Sequence, residues 1–258
     1  MRATKKDIYN KYGIEYKDGK IYAPLFGWIN PVLINGNDKL GRGVWTWSML
    51  PGNFVYDFDY KGFHYETIGT CPCNCPGCYA QTGCYCFMSV KACNARKTIL
   101  ARLYREWLKN AILAQIEADK IQFLRIHAAG DFFDLEYVEM WHNIVRLTPS
   151  VIYWTYTKNP VAEKAFNDLD NINIVRSIIP GYGFNFGPCA YIIKVYNALK
   201  VAGKSVYICK CGIDKNQHCS GCKGCSDHEH VLFIEHSTAY KAEEDPLYSA
   251  LKAIIEAQ

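Results

Sequence analysis

No uninterrupted apolar stretch in this chain approaches the roughly 20 residues that a membrane-spanning helix needs, so no membrane partner is expected. The opening Met-Arg-Ala-Thr-Lys-Lys-Asp lacks the apolar centre of an export signal, which makes the cytoplasm the expected compartment. A large excess of charge of one sign is lacking as well. Against 29 Lys and Arg stand 25 Asp and Glu, and a net charge of +4 is too small and dispersed to indicate nucleic acid as a partner, although it leaves that partner open. A Walker-type phosphate loop is missing, and the glycines at positions 181, 183 and 187 do not have dinucleotide-binding spacing. Neither an internal repeat nor a low-complexity segment stands out.

Cysteine, by contrast, is plentiful. A reducing compartment keeps thiols free, and the 13 cysteines are odd in number, so metal ligation is the favoured use of the clustered ones. The first cluster is Cys71-x3-Cys75-x2-Cys78, inside Cys-Pro-Cys-Asn-Cys-Pro-Gly-Cys-Tyr. Three thiolates from one loop can hold three irons of a cubane and leave the fourth open, whereas structural zinc takes four closed ligands. The spacing therefore favours a [4Fe–4S] cluster, with the parts played by Cys73, Cys84 and Cys86 left open. In the second cluster, Cys209, Cys219, Cys222 and Cys225 supply a complete four-thiolate site, with Cys211 beside them. This site suits zinc or iron–sulfur equally. Cys93 and Cys189, lying outside both clusters, are read as small buried hydrophobes.

Half of the 258 residues are hydrophobic, 50%, enough for a substantial core. Residues 1–60 carry turn signals in quick succession, Asp18-Gly19, Asn35-Gly36 and Pro51-Gly52 among them, and read as a β-rich N-terminal layer. Trp45 and Trp47 alternate as strand residues and are assigned to the core. From residue 61 onward strands alternate with helices. Strands are expected at residues 65–68, 122–128, 151–157, 172–179, 205–208 and 231–235. Helices are expected at 99–118, from the N-cap Asp134 to 147, and at 161–168, 191–201 and 247–257. Such alternation predicts an α/β fold, a partial (β/α)6-type barrel or an open doubly wound sheet, with the Cys-rich loop 209–229 as an insertion.

In parallel α/β folds the loops at the carboxyl ends of the strands converge on one rim. Read in order, those ends carry the Cys71–Cys78 loop, Gly130-Asp131, Thr157-Lys158, Arg176-Ser177, Cys209 and Glu235-His236. Gly130, Asp131, Lys158, Arg176 and Ser177 are accordingly candidate functional residues of that rim. His127 is read as a core histidine.

Cys-x3-Cys-x2-Cys after the first strand of such a series resembles the radical S-adenosylmethionine superfamily. More closely, the blocks at residues 43–51, Cys-Pro-Gly-Cys-Tyr-Ala, Arg-Ile-His-Ala-Ala-Gly-Asp-Phe-Phe-Asp, residues 153–158 and the second cysteine cluster are similar in order and wording to the gene product 88 family of phages and mobile elements. The wider resemblance implies that Cys71, Cys75 and Cys78 bind a [4Fe–4S] cluster whose open iron takes S-adenosylmethionine. It also implies that Ala128 to Asp131 meet the cofactor amino group, that Arg176 and Ser177 contact its ribose or carboxylate, and that an electron donor is a partner. Two other readings stand beside this one: a zinc-stapled module binding nucleic acid or protein, and an iron–sulfur electron carrier or sensor.

Overall fold

The architecture was taken from a computed structural model, which describes residues 3–36, 40–72, 75, 78–214, 217–219, 222–235 and 241–258. Cys73 and His236 lie outside the described residues.

Parallel strands Val44–Thr46, Phe123–Ile126, Ile152–Thr157 and Ile172–Arg176 lie side by side in that order, and Ile34–Asn35 adds an antiparallel edge next to Val44–Thr46. The two-residue period of a strand sends alternate side chains to opposite faces. Leu124, Ile126 and Tyr153 meet Leu108, Ala111 and Ile112 of helix Arg105–Asp119, and Trp141 and Ile144 of helix Leu135–Leu147, in the main core. Trp154, Tyr156 and Val175 turn the other way, toward the second cysteine cluster. Trp47 is fully buried in the main core, as its alternation with Trp45 predicts.

Local signals account for several boundaries. The Asp134 carboxylate accepts from the Tyr137 amide at 2.8 Å, capping helix Leu135–Leu147 as expected. Thr4 and Asp7 form a reciprocal capping box at the start of helix Lys5–Lys11, which the β-rich reading of residues 1–60 passed over. The single helix expected at 99–118 is two, Met88–Leu103 and Arg105–Asp119, broken at Tyr104. The break follows from packing. The first helix places Ala95, Ile99 and Leu100 in a separate cluster with Phe26 and Phe58, whereas the second faces the main core.

Three expectations need correction. Residues 65–68 belong to an antiparallel hairpin, Val55–Tyr60 with Phe63–Ile68, and the first parallel strand is Val44–Thr46, drawn from the N-terminal layer. The hairpin turns at Lys61 and Gly62, both with positive φ, a geometry that matches strand twist. The strand expected at 172–179 ends at Arg176, and Ile178–Ile179 pairs antiparallel with Gly183–Phe184. Finally, the partial (β/α)6 barrel is replaced by a mixed α/β fold of several small sheets. A second parallel sheet runs Phe186–Gly187, His230–Ile234, Val206–Ile208. Helix Cys189–Val201 carries the chain past one strand position, and the last strand fills that gap, so the order is not sequential as a barrel requires. Among the described residues no hydrogen-bonded ladder joins the two parallel sheets, and no barrel closes. No described helix is long and apolar enough to cross a membrane.

Candidate functional site

The first cysteine loop reaches the strand ends because its two approaches are zipped together. Thr70 N donates to Leu50 O at 3.0 Å and Cys71 N to Gly52 O at 2.8 Å, while Met49 N donates to Ala129 O at 2.9 Å and Ala128 N to Trp47 O at 2.8 Å. Cys71 is thereby set beside the 128–131 turn. Gly130 has φ +85°, and a Cβ there would stand 2.6 Å from Thr70 Oγ1 and 3.0 Å from Met49 Cβ, so only glycine fits. Its part is close backbone approach.

Asp131 is buried, and burial raises its carboxyl above the usual range. Three donors oppose that: Thr157 Oγ1 at 2.6 Å, Phe132 N at 2.8 Å and Lys158 N at 2.9 Å. Both carboxylate oxygens are engaged in joining the ends of two neighbouring strands. Lys158 acts electrostatically on Asp131, Cys71 and Cys78 together, which brings this sequence-predicted residue to the first cluster. Burial, reinforced by Asp131, pushes the Cys71 thiol up to about 12, with Lys158 opposing. Burial also raises Cys78, Cys75 adds to the effect, and Lys158 again opposes it. Arg176 and Ser177 stand apart from these sulfurs in their contacts. Arg176 Nε pairs with Glu163 Oε2 at 3.2 Å, and Ser177 continues the strand pairing through N–H to Thr157 O at 2.8 Å.

His127 faces the helices, as a core histidine. Its ring stacks edge-on against Phe132, Nε2 lies 2.9 Å from the Tyr137 hydroxyl, and Nδ1 is enclosed without a hydrogen-bond partner. Burial, helped by Arg125, pushes its pKa down to about 3, so the ring is neutral near pH 7.

Tyr79 is a site residue that the cysteine spacing does not announce. Its hydroxyl donates to Ala128 O and accepts from Arg125 Nη2 at 3.1 Å, tying the loop after Cys78 to the second sheet strand. In the sequence it is marked only by its place directly after the third cysteine. Beside this loop opens a cavity of about 230 Å³ lined by Leu50, Pro51, Ala80, Gln81, Tyr85 and Asn94 among others.

The second cluster packs on the sheet face opposite the helices. Asn173 Nδ2 donates to Cys225 O at 2.7 Å and to His228 O at 2.9 Å, pinning the short helix Gly224–Asp227 across the strands. Gly224 lies against the Tyr207 ring so closely that a Cβ would collide with it. Cys211 hydrogen-bonds with Cys209 and Cys219, which drive its thiol well above the ordinary range, so the structure adds a fifth sulfur to the four read from sequence. Burial, with Cys209 adding, pushes Cys225 up to about 12, and Tyr156 donates to its sulfur at 2.6 Å. The Cys222 sulfur lies 3.3 Å from the Tyr207 hydroxyl. As expected, Cys189 is fully buried, whereas Cys93 is half-buried.

Among the described residues no three His, Cys, Asp or Glu side chains stand in metal-ligand geometry. The donor chemistry nonetheless fits a metal at the second cluster. Five thiols gather there in mostly apolar surroundings, Cys211 in contact with Cys209 and Cys219, and Cys222 and Cys225 beside Tyr207 and Tyr156, and an all-thiolate donor set is the chemistry that zinc and iron–sulfur take. At the first cluster the fit rests on the Cys78 thiol lying within electrostatic reach of both Cys71 and Cys75, with Lys158 acting on Cys71 and Cys78.

Comparison with known proteins places these features in a relationship. A family model described as Gene product 88 matches residues 31–180, which include the first cysteine loop, Asp131 and Lys158 and end before the second cluster. A curated relative, "Gene 88 protein" of Mycobacterium phage L5, is 33% identical over 85 residues, covering 32% of this chain and 34% of the relative. The aligned stretch thus spans about a third of each protein's length. No solved structure matches the chain.

Proposed function

The chain belongs to the gene product 88 family, and on that footing we propose that it is a metal–thiolate enzyme of radical S-adenosylmethionine-like type, acting on a substrate still to be identified. The observation that carries this reading is the convergence of Cys71, Cys78, Asp131 and Lys158 at the carboxyl ends of neighbouring parallel strands. A three-thiolate loop on such a rim is the arrangement that leaves an iron open to a ligand.

In this reading Cys71, Cys75 and Cys78 hold a [4Fe–4S] cluster, and the cluster supplies one-electron reduction to a cofactor such as S-adenosylmethionine bound beside it. The chain's own residues do the rest. Burial of Cys71 limits water at the cluster. Lys158 offsets thiolate charge and would meet a cofactor carboxylate. Gly130 permits backbone approach, and Asp131, with both oxygens engaged, positions the rim and not the ligand. Arg176 holds Glu163 through Nε, which leaves its two Nη groups as the donors that a ligand would meet. The second cluster, Cys209, Cys211, Cys219, Cys222 and Cys225, holds zinc or iron–sulfur and fixes the Cys-rich segment on the sheet.

The test is the EPR spectrum of anaerobically purified, dithionite-reduced protein with and without S-adenosylmethionine. A reduced-cluster signal that changes shape on adding the cofactor supports the enzyme. A signal indifferent to it points to an electron carrier or sensor, and zinc with no cluster signal points to a stapled binding module.

A further inference from the structure

Between the two cysteine clusters lies a cation, Arg125, whose main electrostatic partners among the described residues include no carboxylate. Arg125 is always charged at physiological pH, and its Nε is enclosed with no hydrogen-bond partner. Nη2 donates to the Tyr79 hydroxyl at 3.1 Å, and the guanidinium lies 5.0 Å from the centre of the Tyr156 ring. Its main electrostatic partners are three phenols, Tyr79, Tyr156 and Tyr85, and the thiol of Cys225. Partial burial of a guanidinium with no opposing charge among the described residues is unfavourable. Neutral phenols and a neutral thiol offset little of that.

The Tyr156 side chain bridges the cation to the cysteine. One face of its ring receives Arg125, while its hydroxyl donates to Cys225 Sγ at 2.6 Å. A cation over the ring draws electron density from the phenol and strengthens it as a donor. Donation to a sulfur is worth most when that sulfur is a metal-bound thiolate, whose negative charge the hydrogen bond disperses.

We infer that Tyr156 and Arg125 are positioning residues of the second metal centre, Tyr156 donating to the ligated Cys225 thiolate and Arg125 supplying the countercharge through the Tyr156 ring. The inference rests on the reading of this cluster as a metal site. It also gives the strand Ile152–Thr157 a second task. Thr157 at its end serves the first cluster through Asp131, while Tyr156, one residue earlier and on the opposite face, serves the second.

The test titrates the full-length, metal-free chain anaerobically with Co(II), in a Cys75→Ala background so that thiolate-to-cobalt charge transfer reports the second cluster. Tyr156→Phe keeps the ring and removes only the donor. The expected result is Co(II) affinity weakened roughly 10- to 100-fold, or a shifted charge-transfer band, with an unchanged circular dichroism spectrum. Arg125→Gln is expected to move the same readouts in the same direction, and Arg125→Lys to restore them in part. Unchanged affinity and band in Tyr156→Phe would overturn the inference while leaving the metal site standing. Absence of any charge-transfer band in the Cys75→Ala parent would remove the metal site itself, and the inference with it. If Arg125→Gln does not fold, Tyr156→Phe decides alone.

Discussion

The Asp131 carboxylate accepts the Thr157 hydroxyl at 2.6 Å, linking the turn after one parallel strand to the end of the next. That carboxylate also accepts the backbone amides of Phe132 and Lys158, so it organises the rim from beneath. Asp131→Asn keeps the shape but turns an NH2 group toward one of these donors. Leaving one buried donor unmet costs about 1–3 kcal/mol, and the urea midpoint is expected to fall accordingly. An unchanged midpoint would show that the network contributes nothing to stability.

His127 makes the fold acid-sensitive. Its folded pKa of about 3 lies below the ordinary value of 6.5, so the unfolded chain binds the extra proton between those values. Stability is therefore retained above pH 6.5 and lost progressively as pH falls toward 3. Asp131 acts in the opposite sense just above the ordinary carboxylate range, because burial raises it and the folded state then holds the proton. The backbone at His127 has φ 59°, which asparagine tolerates better than most residues. His127→Asn should flatten the loss of stability between pH 6.5 and 4, measured by urea unfolding; parallel curves for the two proteins would refute the assignment.

Lys97 is a buried amine over the Trp47 ring at 5.1 Å, and its Nζ has no hydrogen-bond partner. Burial lowers its pKa, so the unfolded state takes up the proton more readily and stability rises with pH up to the ordinary lysine value. Lys97→Met is expected to stabilise the protein at pH 7 by roughly 1–3 kcal/mol. The gain should shrink at pH 9.5. Chemical denaturation at the two pH values checks both the sign and the trend.

Cys75→Ala should abolish iron at the first cluster while the second stays filled, as read by iron, sulfide and zinc analysis. Equal loss at both would mean collapse of the fold and not loss of a ligand. Because burial raises the Cys71 and Cys225 thiols to about 12, they are protonated at neutral pH, and metal loading would release protons. Acidification should favour metal release, followed by equilibrium dialysis at pH 8 and pH 6.

Most strands and helices were legible where local chemistry dictates them. Asp134 announces its helix by capping, and residues 151–157 announce a strand by β-branched and aromatic content. Pairing partners were not, because they depend on residues distant in the chain. A hairpin strand at 63–68 and a parallel strand there have the same composition, and only the pairing of Val44–Thr46 with Phe123–Ile126 separates the cases. The rim residues split similarly. Lys158 joins the cysteines, but Asp131 turns its oxygens inward and Arg176 finds Glu163, since hydrogen-bond satisfaction of buried groups is settled in three dimensions. Cys211 and Tyr79 sit within the cysteine motifs, but only their contacts in three dimensions reveal a role.

Gly69 lies so close to the carbonyls of Pro51 and Gly52 that a side chain has no room, and its amide donates to Phe54 O at 3.0 Å. The hairpin at residues 55–68 therefore leaves and rejoins the body at one clasp. The hairpin tip is held separately, by Lys61 Nζ donating to Phe26 O at 2.9 Å and by Tyr60 against the Phe26 ring, so a change of length there strains the Phe26 cluster before it reaches Cys71. The clasp itself tolerates no such change.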